Sequence, residues 1–205
     1  MAAKISTNDY LTAIKYRRSV YPLSDKVDVS DDRIVEIIKE VALTSPSSYN
    51  TQPGRFTVLL GAPHKKLWDM ISEIATPIIT QHAGEEMGKA MEGRFQIVLF
   101  WEDNTVVKKS GETHQASAHM FPQWSEHADA MAQIQIWTAL ELEGLGANLQ
   151  HMSAIPPVEE AIRKEWNISA DWSLKANMNF GAPTGDHPAR PDKIPVDQTV
   201  TVFKS

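Results

Sequence analysis

The spacing of hydrophobic positions changes several times along the 205-residue chain, and each spacing predicts a different element. Leu11 and Ile14 lie three apart behind Thr7, which predicts a first helix capped by Thr7 and ending at the polar cluster Arg17, Arg18, Ser19. Ser30, Asp31 and Asp32 open a second helix with Ile34, Ile37, Ile38 and Val41 on one face, stopping near Ser45-Pro46 because the residue before proline avoids the helical region. The apolar runs 56–60, ended by Gly61, and 97–101, ended by Glu102, Asp103 and Asn104, predict two internal strands. Between them, 65–92 has helical spacing with a break or kink near Pro77. The pattern is weak over 105–124, which holds several histidines and a Phe121-Pro122 break, so this stretch is expected to be irregular or partly helical.

Residues 128–142 carry the plainest helical signal. No charged side chain occurs from Ala130 to Leu140 and apolar residues wrap most of the circumference, so this helix must be buried, either centrally or across a subunit interface. Gly144-Leu145-Gly146 follows it as a cap and turn or as a close backbone approach. It is not a dinucleotide fingerprint, because it ends a helix instead of opening one. Residues 173–180 alternate strictly, with Leu174, Ala176, Met178 and Phe180 on one side and Ser173, Lys175, Asn177 and Asn179 on the other, which predicts a strand with one wet face. Four prolines in 182–197 predict an extended tail, and 199–203 has the composition of a final strand.

Composition narrows the class. Hydrophobic residues at 42% and charged residues at 22% exclude a disordered chain, and the absence of a linker or repeat suggests a single domain over 1–205 with 182–205 as its tail. A net charge of −6 with scattered basic residues argues against nucleic acid as a partner. The absence of cysteine removes disulfides, thiolate nucleophiles and zinc-thiolate sites. With no signal-peptide pattern and no run of 18 apolar residues, the protein is expected to be cytoplasmic and not bound to a membrane. His114 and His119 are five apart, on different helix faces, and no metal site is expected.

Two segments offer binding chemistry. Arg17, Arg18 and Ser19 supply the guanidinium forks and hydroxyl that hold a phosphate, although arginines at a helix end also simply complement its dipole. The run Ser45-Pro46-Ser47-Ser48-Tyr49-Asn50-Thr51-Gln52-Pro53 is dense in hydroxyls and amides able to hydrogen-bond a heteroaromatic ring, a composition that an ordinary turn shares.

In order along the chain, Tyr16-Arg17-Arg18-Ser19-Val20-Tyr21, the 46–53 run, Gly144-Leu145-Gly146-Ala147-Asn148-Leu149-Gln150-His151 and Lys193-Ile194-Pro195 together resemble the nitroreductase superfamily. Phe121-Pro122-Gln123-Trp124-Ser125-Glu126-His127 with Met131-Ala132-Gln133 resembles the branch of fungal fatty-acid-repression-type and bacterial copper-induced members. Gly54 and Tyr21 depart from the pattern: many relatives carry tryptophan at the first position and some a basic residue at the second. The resemblance implies an α+β nitroreductase-like fold, a mostly antiparallel sheet flanked by helices, in an intertwined homodimer with two FMN sites at its interface. It implies FMN phosphate contacts from Arg17, Arg18, Ser19, Lys193 and Arg190, ring contacts from Pro46, Ser47, Ser48, Asn50 and Gln52 of the partner subunit, and a flavin-facing backbone at Leu149, Gln150 and His151. Trp124 and His127 are expected to line the acceptor pocket. The implied activity is NADH- or NADPH-dependent reduction of a nitroaromatic or quinone by a ping-pong cycle, with FMN carrying the chemistry and no catalytic side chain required. The alternative is a non-enzymatic flavin-binding regulator of a stress response.

Overall fold

The computed structural model describes residues 6–83 and 96–204. Its elements are α1 (Thr7–Tyr16), β1 (Leu23–Ser24), α2 (Asp31–Thr44), β2 (Gly54–Leu59), α3 (Ala62–Ala83), β3 (Ile97–Asp103), α4 (Asn104–Thr113), α5 (Phe121–Leu142), β4 (Gly146–Gln150), α6 (Pro156–Trp166) and β5 (Trp172–Pro183). Among these residues no helix is long and apolar enough to cross a membrane.

The sheet is built around β5, which pairs antiparallel with β3 over 172–179, with β4 over 177–181 and with β1 at 182–183, so that 177–179 are paired on both edges, while β3 carries β2 on its far side. A core lies on each face. Val98, Phe100, Ala176, Met178 and Phe180 pack against Ile34, Ile37 and Ile38 of α2 and Ile136, Trp137 and Leu140 of α5. Ile97, Leu99 and Trp101 pack the other way, against Leu67, Trp68 and Ile71 of α3 and Val158 and Ile162 of α6. The result is the expected α+β arrangement of helices around an antiparallel sheet.

One irregularity in β5 has wide effects. Phe100 pairs with Ala176 but Trp101 pairs with Leu174, so Lys175 is an extra residue in the strand. A bulge of this kind reverses the side-chain alternation beyond it. Leu174 therefore joins the core under α3 and α6, away from Ala176, Met178 and Phe180.

Several expectations need correction. The polar side of the 173–180 strand is half-exposed only at Ser173 and Lys175: Asn177 and Asn179 are buried, where Ser153 Oγ donates to Asn177, Asn177 to Asn179 and Asn179 to Asn148 (2.6, 3.1 and 3.2 Å). Buried amides survive when they satisfy one another. The first helix is capped by Ser6, which exchanges hydrogen bonds with Asp9 in a capping box, so Thr7 is the first helical residue. Residues 105–124 are ordered as α4, a 3-10 turn at Gln115–Met120 and the start of α5. Pro122 lies in the first turn of α5, where its missing N–H costs nothing, so it opens the helix. β2 runs from Gly54 to Leu59, starting two residues and ending one residue earlier than the expected 56–60. Pro77 lies inside α3 without ending it, and the portion of that expected helix from 84 to 92 lies outside the described residues. The tail after β5 contains a single 3-10 turn at Val196–Gln198, and 199–203 forms no strand.

Gly144 closes α5 as anticipated. Its φ of +88° is left-handed, its N–H donates to Glu141 O, and Leu145 N–H donates to Leu140 O, the bonding pattern of a Schellman cap. Gly146 is the tighter constraint, since a Cβ there would meet Leu23 Cδ2 and Val20 Cγ1 at 2.8 Å and Val20 Cβ at 2.9 Å. Gly146→Ala is expected to cost about 1–3 kcal/mol of stability by overpacking. The check is a lowered urea midpoint with an unchanged denaturant slope.

Candidate functional site

Two clusters of candidate residues lie at opposite ends of α5. At its C-terminal end the chain leaves α1 and runs beside β4, where Val20 N–H donates to Ala147 O at 2.9 Å and Ser19 bridges Ala147. The Arg17 guanidinium lies 4.3 Å above the Trp137 ring and forms no ion pair among the described residues. Arg18 turns its Nη1 back onto the carbonyls of Lys15 and Arg17, both at 2.7 Å, which caps α1, while its Nε is buried without a partner. Ser19 is exposed.

Beneath this turn is Glu141, 3% exposed. Both its carboxylate oxygens accept the Arg18 N–H at 3.0 Å, and Oε1 accepts Trp137 Nε1–H at 2.8 Å. Burial pushes the Glu141 carboxyl upward, while the Arg18 amide, Trp137, His187 and the Arg17 charge draw it back. On β4, half-buried Leu149 packs on the α2 and α5 core, Gln150 Nε2 donates to Asn148 Oδ1 at 3.1 Å, and His151 is exposed just past the strand. Arg190 and Lys193 are exposed on the tail and form no ion pair among the described residues.

The second cluster faces the N-terminal half of α5. In the loop before β2, Tyr49, Asn50 and Gln52 all take left-handed φ values of 53–54°. Each such non-glycine residue costs on the order of 1–3 kcal/mol, and this kind of strain concentrates at ligand-binding positions. Ser47 holds the loop, accepting Gln52 N–H on Oγ at 2.9 Å and Asn50 N–H on its carbonyl at 2.9 Å; Gln52 Nε2 donates to Asn50 Oδ1 at 3.2 Å. Pro46 is exposed and Ser48 half-buried. The conformation turns Tyr49 outward, stacked on His114 at 4.2 Å and within 6.2 Å of Phe121 and Trp124. Trp124 and His127 stand on the first turns of α5, which begins seven residues before the expected 128; Trp124 is half-buried and His127 exposed. Trp124 and Glu141 are separated by 17 residues of one helix, about 25 Å along its axis.

Among the described residues no group of three or more histidines and carboxylates is placed to hold a metal ion. A sheet covered on both faces, an arginine-serine turn beside β4 and a strained hydroxyl- and amide-rich loop match a known pattern: residues 14–182 fit the nitroreductase family. The chain belongs to the nitroreductase family. It is 32% identical to the nitroreductase FRM2 of Saccharomyces cerevisiae over 180 residues, covering 87% of this chain and 90% of that one. The structure of the nitroreductase CinD from Lactococcus lactis, solved with chloramphenicol, matches at a TM-score of 0.81 with 33% identity, covering 96% of this chain and all of that one. CinD has also been solved with 4-nitrophenol. A Desulfovibrio desulfuricans structure in complex with FMN shares the fold at a TM-score of 0.66 and 22% identity, covering 97% of this chain and 99% of that one.

Sequence reasoning missed Glu141, Tyr49, His114 and Asp129. Glu141 is the first charge after the uncharged run in α5, the one signal that could have singled it out. Asp129 is 7% exposed and lines a cavity of about 40 Å³ with Ser45, Ser47, Gln52 and Gly54; its Oδ1 has no partner and Oδ2 accepts Gln133 Nε2–H at 2.6 Å. Burial raises its pKa from 3.8 to about 6, helped by Glu102 and Glu126 and opposed by the Gln133 hydrogen bond and Lys175, which the β5 bulge directs to within 3.3 Å of Glu102. A carboxyl whose folded pKa is raised keeps its proton where the unfolded chain has lost it. Its burial penalty therefore grows from pH 3.8 to about 6 and is complete above that. Asp129→Asn is expected to raise stability at pH 7.5 by up to about 3 kcal/mol and to change little at pH 4. Denaturation midpoints at the two pH values check this; an equal gain at both would show that the charge is not the cause.

Proposed function

We propose that this chain is an FMN-dependent oxidoreductase that uses NADH or NADPH to reduce nitroaromatic or quinone-type acceptors. The observation that carries the reading is the Arg17–Ser19 turn. A buried carboxylate fixes its backbone, yet the Arg17 guanidinium feels that carboxylate only at a distance and forms no ion pair among the described residues, and the Arg18 Nε is buried with no acceptor. Such a turn fits a phosphate, and the family includes an FMN-bound structural relative. Arg17, Ser19 and, from the tail, Arg190 and Lys193 would hold that phosphate, with Arg18 behind them. Pro46, Ser47, Ser48, Asn50 and Gln52 would meet the ring, and Leu149, Gln150 and His151 would line it. The chemistry FMN supplies when bound is two-electron transfer from the nicotinamide to the acceptor in a ping-pong cycle. The side chains bind, orient and exclude water. Trp124 and His127 would present the acceptor, an aromatic of the kind named for CinD.

The working unit in this reading is a homodimer. α1 buries none of its residues, and Tyr10, Ile14 and Tyr16 face Ile134 and Leu142 of α5 across an apolar groove of about 800 Å³. Ile194, Val196, Val202 and Phe203 of the tail are also exposed, Phe203 at 93%. Apolar surface this extensive calls for a partner. The two clusters lie too far apart on α5 for one chain to close them on one flavin, and a second copy would join one cluster to the other. The reading places the protein in the cytoplasm as one domain, acting on small molecules and not on nucleic acid.

The purified protein is expected to be yellow, with about one FMN per chain. Arg17→Ala should lower FMN occupancy and abolish most of the FMN-dependent rise in melting temperature, because a ligand bound only by the folded dimer stabilises it by mass action. Protein that stays colourless and takes up no added FMN would overturn the proposal. Trp124→Ala should change the ratio of rates with nitroaromatic and quinone acceptors while leaving FMN content near one per chain; unchanged ratios measured by steady-state kinetics would remove Trp124 from the acceptor pocket.

A further inference from the structure

Glu141 is buried among groups from three separate parts of the chain. From the segment after α1 come the Arg18 amide on both carboxylate oxygens and the Arg17 charge. From its own helix comes the Trp137 indole N–H, which also lies 3.2 Å from Arg18 O, so that one ring braces the turn from both sides. From the tail comes His187, whose Nε2 stands 3.6 Å from Glu141 Oε2 and whose ring stacks on Tyr16 at 4.3 Å and 17°. A buried carboxylate is costly unless its lone pairs are filled. Here the Arg18 amide and the Trp137 indole fill them, and the carboxylate lies between the two segments of chain that the proposed phosphate clamp uses: Arg17–Ser19 on one side, and on the other a tail that approaches through His187, with Arg190 and Lys193 three and six residues further on.

We propose that Glu141 is the positioning residue of the phosphate clamp, fixing the Arg17–Ser19 turn through the Arg18 amide and docking the tail through His187 so that both halves close on one anion. The inference rests on the FMN reading above. Glu141 touches neither cofactor nor substrate. It acts by setting where the cationic and hydroxyl donors stand before the phosphate arrives, which lowers the ordering cost of binding. The contact with His187 is strongest when the imidazole is protonated, since only then is it an ion pair. The other groups facing the carboxylate are the Arg17 charge, the Arg18 backbone N–H and Trp137, with Tyr16 behind the imidazole.

The test uses the full chain, stripped of flavin and titrated with FMN, as wild type, Glu141→Gln, His187→Ala and the double variant. Tryptic cleavage after Lys193 is followed in parallel without FMN. Glu141→Gln keeps the shape but sets an amide N–H against an N–H donor, and should weaken FMN binding about tenfold or more. His187→Ala should weaken it a few-fold and add little in the Glu141→Gln background. Both variants should speed cleavage after Lys193. Unchanged cleavage together with unchanged FMN affinity, or effects that simply add in the double variant, would overturn the proposal. If Glu141→Gln fails to fold, His187→Ala decides alone, because His187 lies on the exposed tail. Failure of the wild type to bind FMN would sink the FMN reading instead, while the cleavage rates still decide whether Glu141 and His187 hold the tail.

Discussion

Every side of α5 has to be covered, and much of the architecture answers that demand. Ile136 and Leu140 meet the sheet and α2 stands beside them, yet Met131, Ile134 and Leu142 remain exposed within one chain. α1, with no buried residue of its own, borders that remainder. A lone chain thus spends part of its apolar surface on water, and the groove between α1 and α5 is where that expense is largest. Glu141, the first charge beyond the apolar stretch, is drawn inside with the helix and must be satisfied there.

The second organising feature is β5, paired on both sides and covered on both faces. Its polar residues did not signal solvent. Asn177 and Asn179 line one face as a ladder reaching from Ser153 to Asn148, and Asn148 Nδ2 donates to Val20 O at 2.8 Å. The ladder thus ties the segment after α1 to the centre of the sheet, so the position of the arginine-serine turn is set from below by amides as well as by Glu141.

Much of this was legible in the sequence wherever one local signal sufficed. α2 follows from its Ser30 cap and apolar face, and the Schellman turn from Gly144 after an uncharged helix. What escaped depended on partners distant in the chain. Alternation along 173–180 could not reveal that Asn177 and Asn179 would be buried, because the satisfying groups come from 148 and 153. Nor could it reveal the bulge at Lys175, which exists only relative to β3. Pro122 was misread because proline interrupts a helix but also begins one. β4 offers five residues with an asparagine in the middle, and α6 opens on two prolines, so neither carries a clear period. The phosphate-type and amide-rich segments were visible as compositions, while Glu141, Tyr49, His114 and Asp129 became visible only when helices and loop were brought together.

The length of α5 acts as a gauge. Trp124 and the flexed loop sit against its beginning, Glu141 and the arginine turn against its end, and a rigid rod fixes both their separation and their relative rotation. One residue added or removed between them would turn one end by about 100° and shift it by about 1.5 Å relative to the other. Point changes along the solvent side of this helix leave that spacing intact, whereas a single deletion would mis-set it even if both ends kept every residue. Divergence among chains built this way should therefore accumulate as substitutions within this helix and as length changes outside it.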